Sequence, residues 1–129
     1  MNQGTKVPAS PTFPQSGEVW WVKIPNQLDD PHQPRPAIVI STNGRNKGCN
    51  DVIVVPVTSS GTFSPHPIVH IHIPAGVGGL QRDSYARCDQ VTTLDKSLLG
   101  SGPLGSPIDA TYRWQIIDGI RRSVGDNRV

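Results

Sequence analysis

Two nearly unbroken apolar runs, Ala37-Ile-Val-Ile-Ser41 and Val52-Ile-Val-Val-Pro-Val57, constrain the fold more than anything else in the chain. They are too short for buried helices and too continuous for strands with one wet face. They therefore predict neighbouring central strands covered on both sides. Asn43-Gly44 and Gly48 lie between them and predict a turn-rich loop over 42–51. Pro56 has no N–H to give to a ladder, which predicts a bulge or a sheet edge just before Thr58. The outer ends of the pair carry the chemistry. Arg35 stands at the entrance of the first run between Pro34 and Pro36, which restrict its backbone to extended geometry, and Thr58-Ser59-Ser60 closes the second run. A guanidinium and a hydroxyl brought to one rim of a small sheet would suit a phosphate.

The flanking chain supplies more strands and one helix. Glu18–Ile24 is rich in aromatic and β-branched residues and predicts a first strand, with Trp20, Val22 and Ile24 on one face and Val19, Trp21 and Lys23 on the other. One tryptophan of the pair is expected in the core and the other toward a groove. Ile68–Ile73 alternates, placing Val69, Ile71 and Ile73 inward and His70 and His72 on an exposed face. Zinc would need a further ligand beside these histidines and His66, and no Asp, Glu or Cys lies close to them in sequence. The stretch 83–95 predicts a fifth strand broken into two. Ser106-Pro107-Ile108-Asp109 has the form of a helix start, and Tyr112, Ile116, Ile117, Ile120 and Val124 form one apolar stripe closed by Gly125. Trp114 falls off that stripe. The domain is expected over 17–125, after a disordered leader at 1–16 and before a short tail at 126–129.

Composition agrees with short strands and many turns, since the 129 residues include 13 Gly and 13 Pro with 35% hydrophobic content. A formal charge of +2 permits a nucleic-acid partner without demanding one. No apolar run approaches the ~20 residues of a membrane-spanning helix. Cys49 and Cys88 have no metal-type spacing and predict two free thiols in a reducing, cytoplasmic setting.

Several blocks together resemble the MazF/PemK family of type II toxin–antitoxin toxins: GEVWWVKIP at 17–25, RPAIVIS at 35–41, VIVVPVTSS at 52–60, GLQRDSYARCDQVTTLDKSLL at 79–99, and the final helix. The resemblance implies a mainly β fold, an SH3-like small β-barrel of CcdB/PemK type with a C-terminal α-helix. It also implies a homodimer that cuts single-stranded RNA at specific sequences without metal or other cofactor, silenced by a cognate antitoxin. By similarity the catalytic pair is Arg35 and Thr58, with RNA contacts at Asp30, His32, Asn43, Ser59, Arg87 and Gln90. His32, in a polar loop three residues before Arg35, is also the candidate proton carrier.

Two departures bear on target choice rather than on chemistry. Ile24-Pro25 replaces an Asp that members often carry, and Asp95-Lys96-Ser97-Leu98 lacks an arginine of the family block. A CcdB-like gyrase poison uses the same fold without catalysis, through a tryptophan close to the C-terminal end. Here Trp114 lies well before the end, and RPAIVIS with PVTSS fits the ribonuclease branch better. A non-catalytic RNA- or peptide-binding barrel is the third reading.

Overall fold

The computed structural model describes residues 12–24, 34–61, 63–126 and 128. Seven strands form one antiparallel sheet: β1 (Val19–Val22), β2 (Arg35–Val39), β3 (Asp51–Ser59), β4 (His70–Ile73), β5 (Ser84–Arg87), β6 (Thr92–Asp95) and β7 (Leu99–Pro103). Two helices complete the fold, α1 (Asn43–Gly48) and α2 (Ala110–Ser123). The strand order is β4-β5-β3-β2-β1-β7, with β6 also paired to β3. The sheet curls without closing, because β4 and β7 at its two ends are not paired with each other. The barrel expectation therefore holds as an antiparallel, SH3-like sheet with a terminal helix, and is corrected on closure.

β3 organises the sheet. One edge bonds β2, pairing Ala37 with Pro56 and Val39 with Val54. Its other edge bonds β6 through 51–54 and then β5 through 57–59. Pro56 falls where β3 exchanges one partner for the next, so its missing N–H costs no ladder bond on that edge. The bulge or edge expected there is this change of partner.

The central strands are covered on both sides, as their continuous apolar sequence predicts. Val19, Ile38, Val55, Val57, Ile73 and Ala86 form one core with Cys88 and with Ile116 of α2. Val22, Ala37, Val39, Val52, Val54 and Leu94 form the other. The strand at 83–95 is indeed broken in two, by a 3₁₀ turn at Cys88–Gln90. Cys88 is buried in that turn and Cys49 is exposed, and both thiols are free.

Four expectations are corrected. The 42–51 segment is not a plain loop but contains α1, held by buried polar bonds rather than by helix propensity. Asn46 is fully buried, its amide donates to the Ser41 carbonyl (3.0 Å), and its carbonyl accepts from the Ser41 hydroxyl. Ser41 Oγ in turn accepts the Ile53 N–H (3.0 Å). Strand β7, Leu-Gly-Ser-Gly-Pro, carries no strand signal in its sequence and forms because β1 offers an open edge, Trp20 lying against Pro103 and Val22 against Leu99. Helix α2 begins later than the Ser106-Pro107 signal. The Ile108 N–H is bonded to the Gly17 carbonyl (2.9 Å), which keeps 107–108 extended, and Asp109 is the cap, accepting from the Tyr112 N–H (3.2 Å). Of the predicted stripe, Tyr112, Ile116 and Ile120 reach the core, whereas Ile117 and Val124 stay exposed, as does Trp114.

The leader expected at 1–16 falls partly outside the described residues, which begin at residue 12. From there the chain is tied down. The Gln15 N–H donates to Glu18 Oε1 (2.6 Å) and the Ser16 N–H to Asn43 Oδ1 (2.7 Å). Among the described residues no helix is long and apolar enough to cross a membrane.

Candidate active site

The register of β2 against β3 decides how Arg35 and Thr58 meet. Ala37 lies across from Pro56, and Arg35 and Thr58 each stand two residues beyond this pair toward the strand ends, on the side that Ala37 and Pro56 share. Both line the same cavity. The two ends picked out in the sequence thus converge at one rim, which borders a cavity of about 550 Å³.

The walls of the cavity come from four places. Arg35 and its two prolines form one side, and Thr58 with Ser59 form the next. Trp21 of β1 and Leu104, just past β7, add an apolar face. The turn after β4 supplies Gly79 to Arg82. Trp21 is 47% exposed here while its neighbour Trp20 packs against the second core, so the pair divides between core and groove as the strand period predicts.

The turn at 74–82 delivers the second arginine of the site. Gly76, Gly78 and Gly79 all have positive φ (94°, 66° and 87°), a conformation that side-chain-bearing residues avoid. At Gly79 a Cβ would stand 2.4 Å from the Leu104 carbonyl oxygen. Only glycine lets this turn press against the chain after β7 and present Arg82 to the cavity. The sequence alone assigns no role in the site to Arg82, Trp21, Gln81 or Ser84. The clue available was position: Arg82 follows the glycine-rich turn directly.

Arg35 carries at least one polar interaction of its own in the fold. It is half-buried at the mouth, where water competes less for its donors. A cavity bordered by two guanidiniums and a threonine hydroxyl has the donors to hold an anionic phosphodiester and to stabilise additional charge on it.

The family model described as "PemK-like, MazF-like toxin of type II toxin-antitoxin system" matches residues 15–124. The chain belongs to this family. Among the relatives of this PemK/MazF-like protein, Endoribonuclease PemK of Escherichia coli is 30% identical over 87 residues, 67% of this chain. The chain spans 64% of that relative's length. Solved structures share the fold. An endoribonuclease in complex with its cognate antitoxin from a Mycobacterial species superimposes with a TM-score of 0.71 at 22% identity, covering 90% of this chain and 99% of that one. MazF from Deinococcus radiodurans gives 0.70 at 20% identity, covering 89% and 99%.

Of the remaining sequence-assigned residues of this PemK/MazF-like chain, Ser59 alone among the described ones lines the cavity. Asn43 sits on α1, where its side chain accepts from the Ser16 N–H. Arg87 lies farther along β5, outside the cavity lining, with its guanidinium 5.6 Å from the Phe63 ring. Gln90 is exposed in the 3₁₀ turn after β5. Ser59 lines the cavity beside Thr58. Asp30 and His32 lie outside the described residues.

Two expectations about the histidine strand are corrected. His72 is exposed, but the His70 side chain is only 10% exposed. An acidic residue does come close: Asp89 Oδ1 is 3.2 Å from His70 Nε2, although far away in sequence. Among the described residues no three His, Cys, Asp or Glu side chains stand close enough to form a metal-ligand set.

Proposed function

We propose that this toxin is an endoribonuclease that cuts single-stranded RNA at the cavity between Arg35 and Thr58. The observation that supports the reading is that Arg35, Thr58 and Arg82 line one cavity. In the proposed reaction the ribose 2′-oxygen attacks the adjacent phosphorus. The new bond forms as the P–O5′ bond breaks, the 2′-hydroxyl loses its proton and the departing 5′-oxygen gains one. The products are a 2′,3′-cyclic phosphate and a 5′-hydroxyl. The nucleophile is already part of the substrate, so holding it in line supplies much of the acceleration.

The side chains divide the remaining work. The Arg35 fork takes two phosphate oxygens, and the Thr58 hydroxyl donates to the charge that grows on them. Arg82 faces the same space and suits a neighbouring phosphate. Arginine keeps its proton at all working pH values, so the proton carrier is another group, for which His32 is the candidate.

The same reading includes a homodimer in the cytoplasm and a cognate antitoxin whose acidic segment folds over the cavity and excludes RNA. An apolar groove beside Trp114, which is 64% exposed, and Ile117 is the surface on which a second copy would rest. Sedimentation of the wild type against Trp114→Ala tests that contact.

The activity is tested by incubating the purified chain with mixed RNA in EDTA and mapping the new ends. Discrete cuts bearing 5′-hydroxyls are expected. Arg35→Ala and Thr58→Ala are each expected to slow cutting ~10²–10³-fold while keeping the fold. Near-normal cutting by either variant overturns the assignment.

A further inference from the structure

The side of the sheet next to Thr58 carries an unusual density of rings. Strand β5 sets Tyr85 opposite Thr58 on β3 and opposite His72 on β4, and sets Arg87 opposite His70. Opposed residues share a side, so Thr58, Tyr85 and His72 form one row and His70 with Arg87 forms the next. This side faces away from the core, because the alternate residues Val57, Ala86, Ile71 and Ile73 are the ones packed inside.

The segment after β3 lays Phe63 across these rows. Its ring lies 5.0 Å from His70 and 5.8 Å from Tyr85, and Tyr85 lies 5.4 Å from His72. His66 meets His70 edge-on at 6.4 Å, and the Arg87 guanidinium caps Phe63. The result is a continuous ring surface running from His72 through Tyr85 and Phe63 to His70.

His70 is the strut of this surface rather than a free base. Its Nδ1 accepts the His66 N–H (2.7 Å), which leaves the proton on Nε2 to face Asp89. Both ring nitrogens are thereby engaged, and the 66–70 turn is pinned beneath the platform. Tyr85, His72 and Phe63 are left to offer edges and faces outward. Phe63 and Tyr85 are half-buried, with one side against neighbours and the other toward solvent.

We propose that Phe63, Tyr85 and His72 form a stacking platform for unpaired bases of RNA, adjoining the scissile phosphate on the side of Thr58 away from Arg35. This rests on the reading of Arg35 and Thr58 as the cleavage site. Unstacked bases bind single-strand-reading proteins through aromatic faces, and each such contact is sequence-tolerant unless hydrogen bonds supplement it. Local charge favours bases over phosphates here, since Asp89 opposes the positive charge of Arg87, while Arg35 and Arg82 lie at the cavity. Strand spacing puts Tyr85 ~5 Å and His72 ~10 Å from Thr58 across the sheet, within reach of a base next to the cleaved bond. The platform holds the base that flanks the cut without choosing its identity.

The test uses the whole chain and labelled, mixed-sequence single-stranded RNA with 2′-O-methyl riboses, which cannot supply the nucleophile. Anisotropy at fixed salt should show affinity falling ~10-fold or more for Tyr85→Ala. His72→Ala, at an exposed position that leaves the core untouched, should weaken binding in the same direction, and Tyr85→Phe should bind as the parent does. An abasic strand of the same length should bind weakly and equally to parent and Tyr85→Ala. Parental affinity in both Tyr85→Ala and His72→Ala overturns the platform, as does a Tyr85→Ala loss of the same size on the abasic strand. These outcomes stand apart from the cleavage reading, which is judged on unmodified RNA by the cutting of the parent, Arg35→Ala and Thr58→Ala.

Discussion

Gly76 and Gly79 share one turn and nearly the same backbone conformation, and they differ in a single respect that a pair of alanine substitutions isolates. Both have φ near +90°, and an L-residue held there costs ~1–2 kcal/mol. Around Gly76 nothing lies within 4 Å of an added Cβ, so Gly76→Ala should lose only that strain, ~1–2 kcal/mol. At Gly79 the Cβ would meet the Leu104 carbonyl oxygen at 2.4 Å, its carbon at 2.5 Å and the Gly105 nitrogen at 2.8 Å. These are backbone atoms, so no rotamer change relieves the overlap, and overpacking of this kind adds ~1–3 kcal/mol. Gly79→Ala should therefore lose ~3–4 kcal/mol, about 2 kcal/mol more than Gly76→Ala. Urea unfolding with matched slopes measures the difference, which corresponds to ~8 °C in Tm at ~4 °C per kcal/mol for a domain of this size. The two chain segments that must part, 79–80 and 104, are both walls of the cavity. RNA cutting should accordingly fall in folded Gly79→Ala and persist in Gly76→Ala. Equal stability losses in the two variants would refute the close approach of the turn to the segment after β7.

Three further outcomes are expected. Asn46→Ala removes the buried amide bonded to Ser41 and should cost ~1–3 kcal/mol in urea unfolding, where a loss below ~0.5 kcal/mol would show that α1 is held some other way. A thiol reagent at pH 8 should label exposed Cys49 quickly and leave Cys88 untouched until unfolding, because burial first and the neighbouring Asp89 second push the Cys88 thiol up from 9.0 to about 12. The folded state thus keeps a proton that the unfolded chain releases. Stability from this group is intact below pH ~9 and declines as pH rises toward ~12, a component of the alkaline slope that Cys88→Ala should remove. Finally, adding 2′-O-methyl RNA should change tryptophan emission through Trp21 at the cavity, so Trp21→Phe should abolish the change and Trp114→Phe should retain it.

The apolar runs of β2 and β3 were legible because burial on both sides leaves an unbroken hydrophobic signature. The break between β5 and β6 was legible from polar interruption. Strand β7 was not, since Gly100, Gly102 and Pro103 disfavour a strand and only the open edge of β1 recruits them. Helix α1 escaped notice for a related reason, its Asn-Gly-rich sequence being held by the buried bond from Asn46 to Ser41 and by the distant Ser16 N–H that Asn43 accepts. Within the site, Arg35 and Thr58 could be read because prolines and strand ends mark them. Arg82 could not, because a chain reversal built on three positive-φ glycines carries it there. The proximity of Asp89 to His70 likewise depends on β4 and β5 pairing, which no local spacing reveals.

The pairing of β1 with β7 has a consequence for when the cavity is completed during synthesis. The Leu104 N–H is bonded to the Val19 carbonyl (2.8 Å), and Trp20 pairs with Pro103, so the first strand waits for one near the far end of the chain. Leu104 walls the cavity. During synthesis Arg35 and Thr58 leave the ribosome early, yet the space between them stays unwalled until the last quarter of the chain follows. A nascent chain interrupted before that point holds Arg35 and Thr58 without the wall that Leu104 supplies, so the proposed cleavage would wait for that segment.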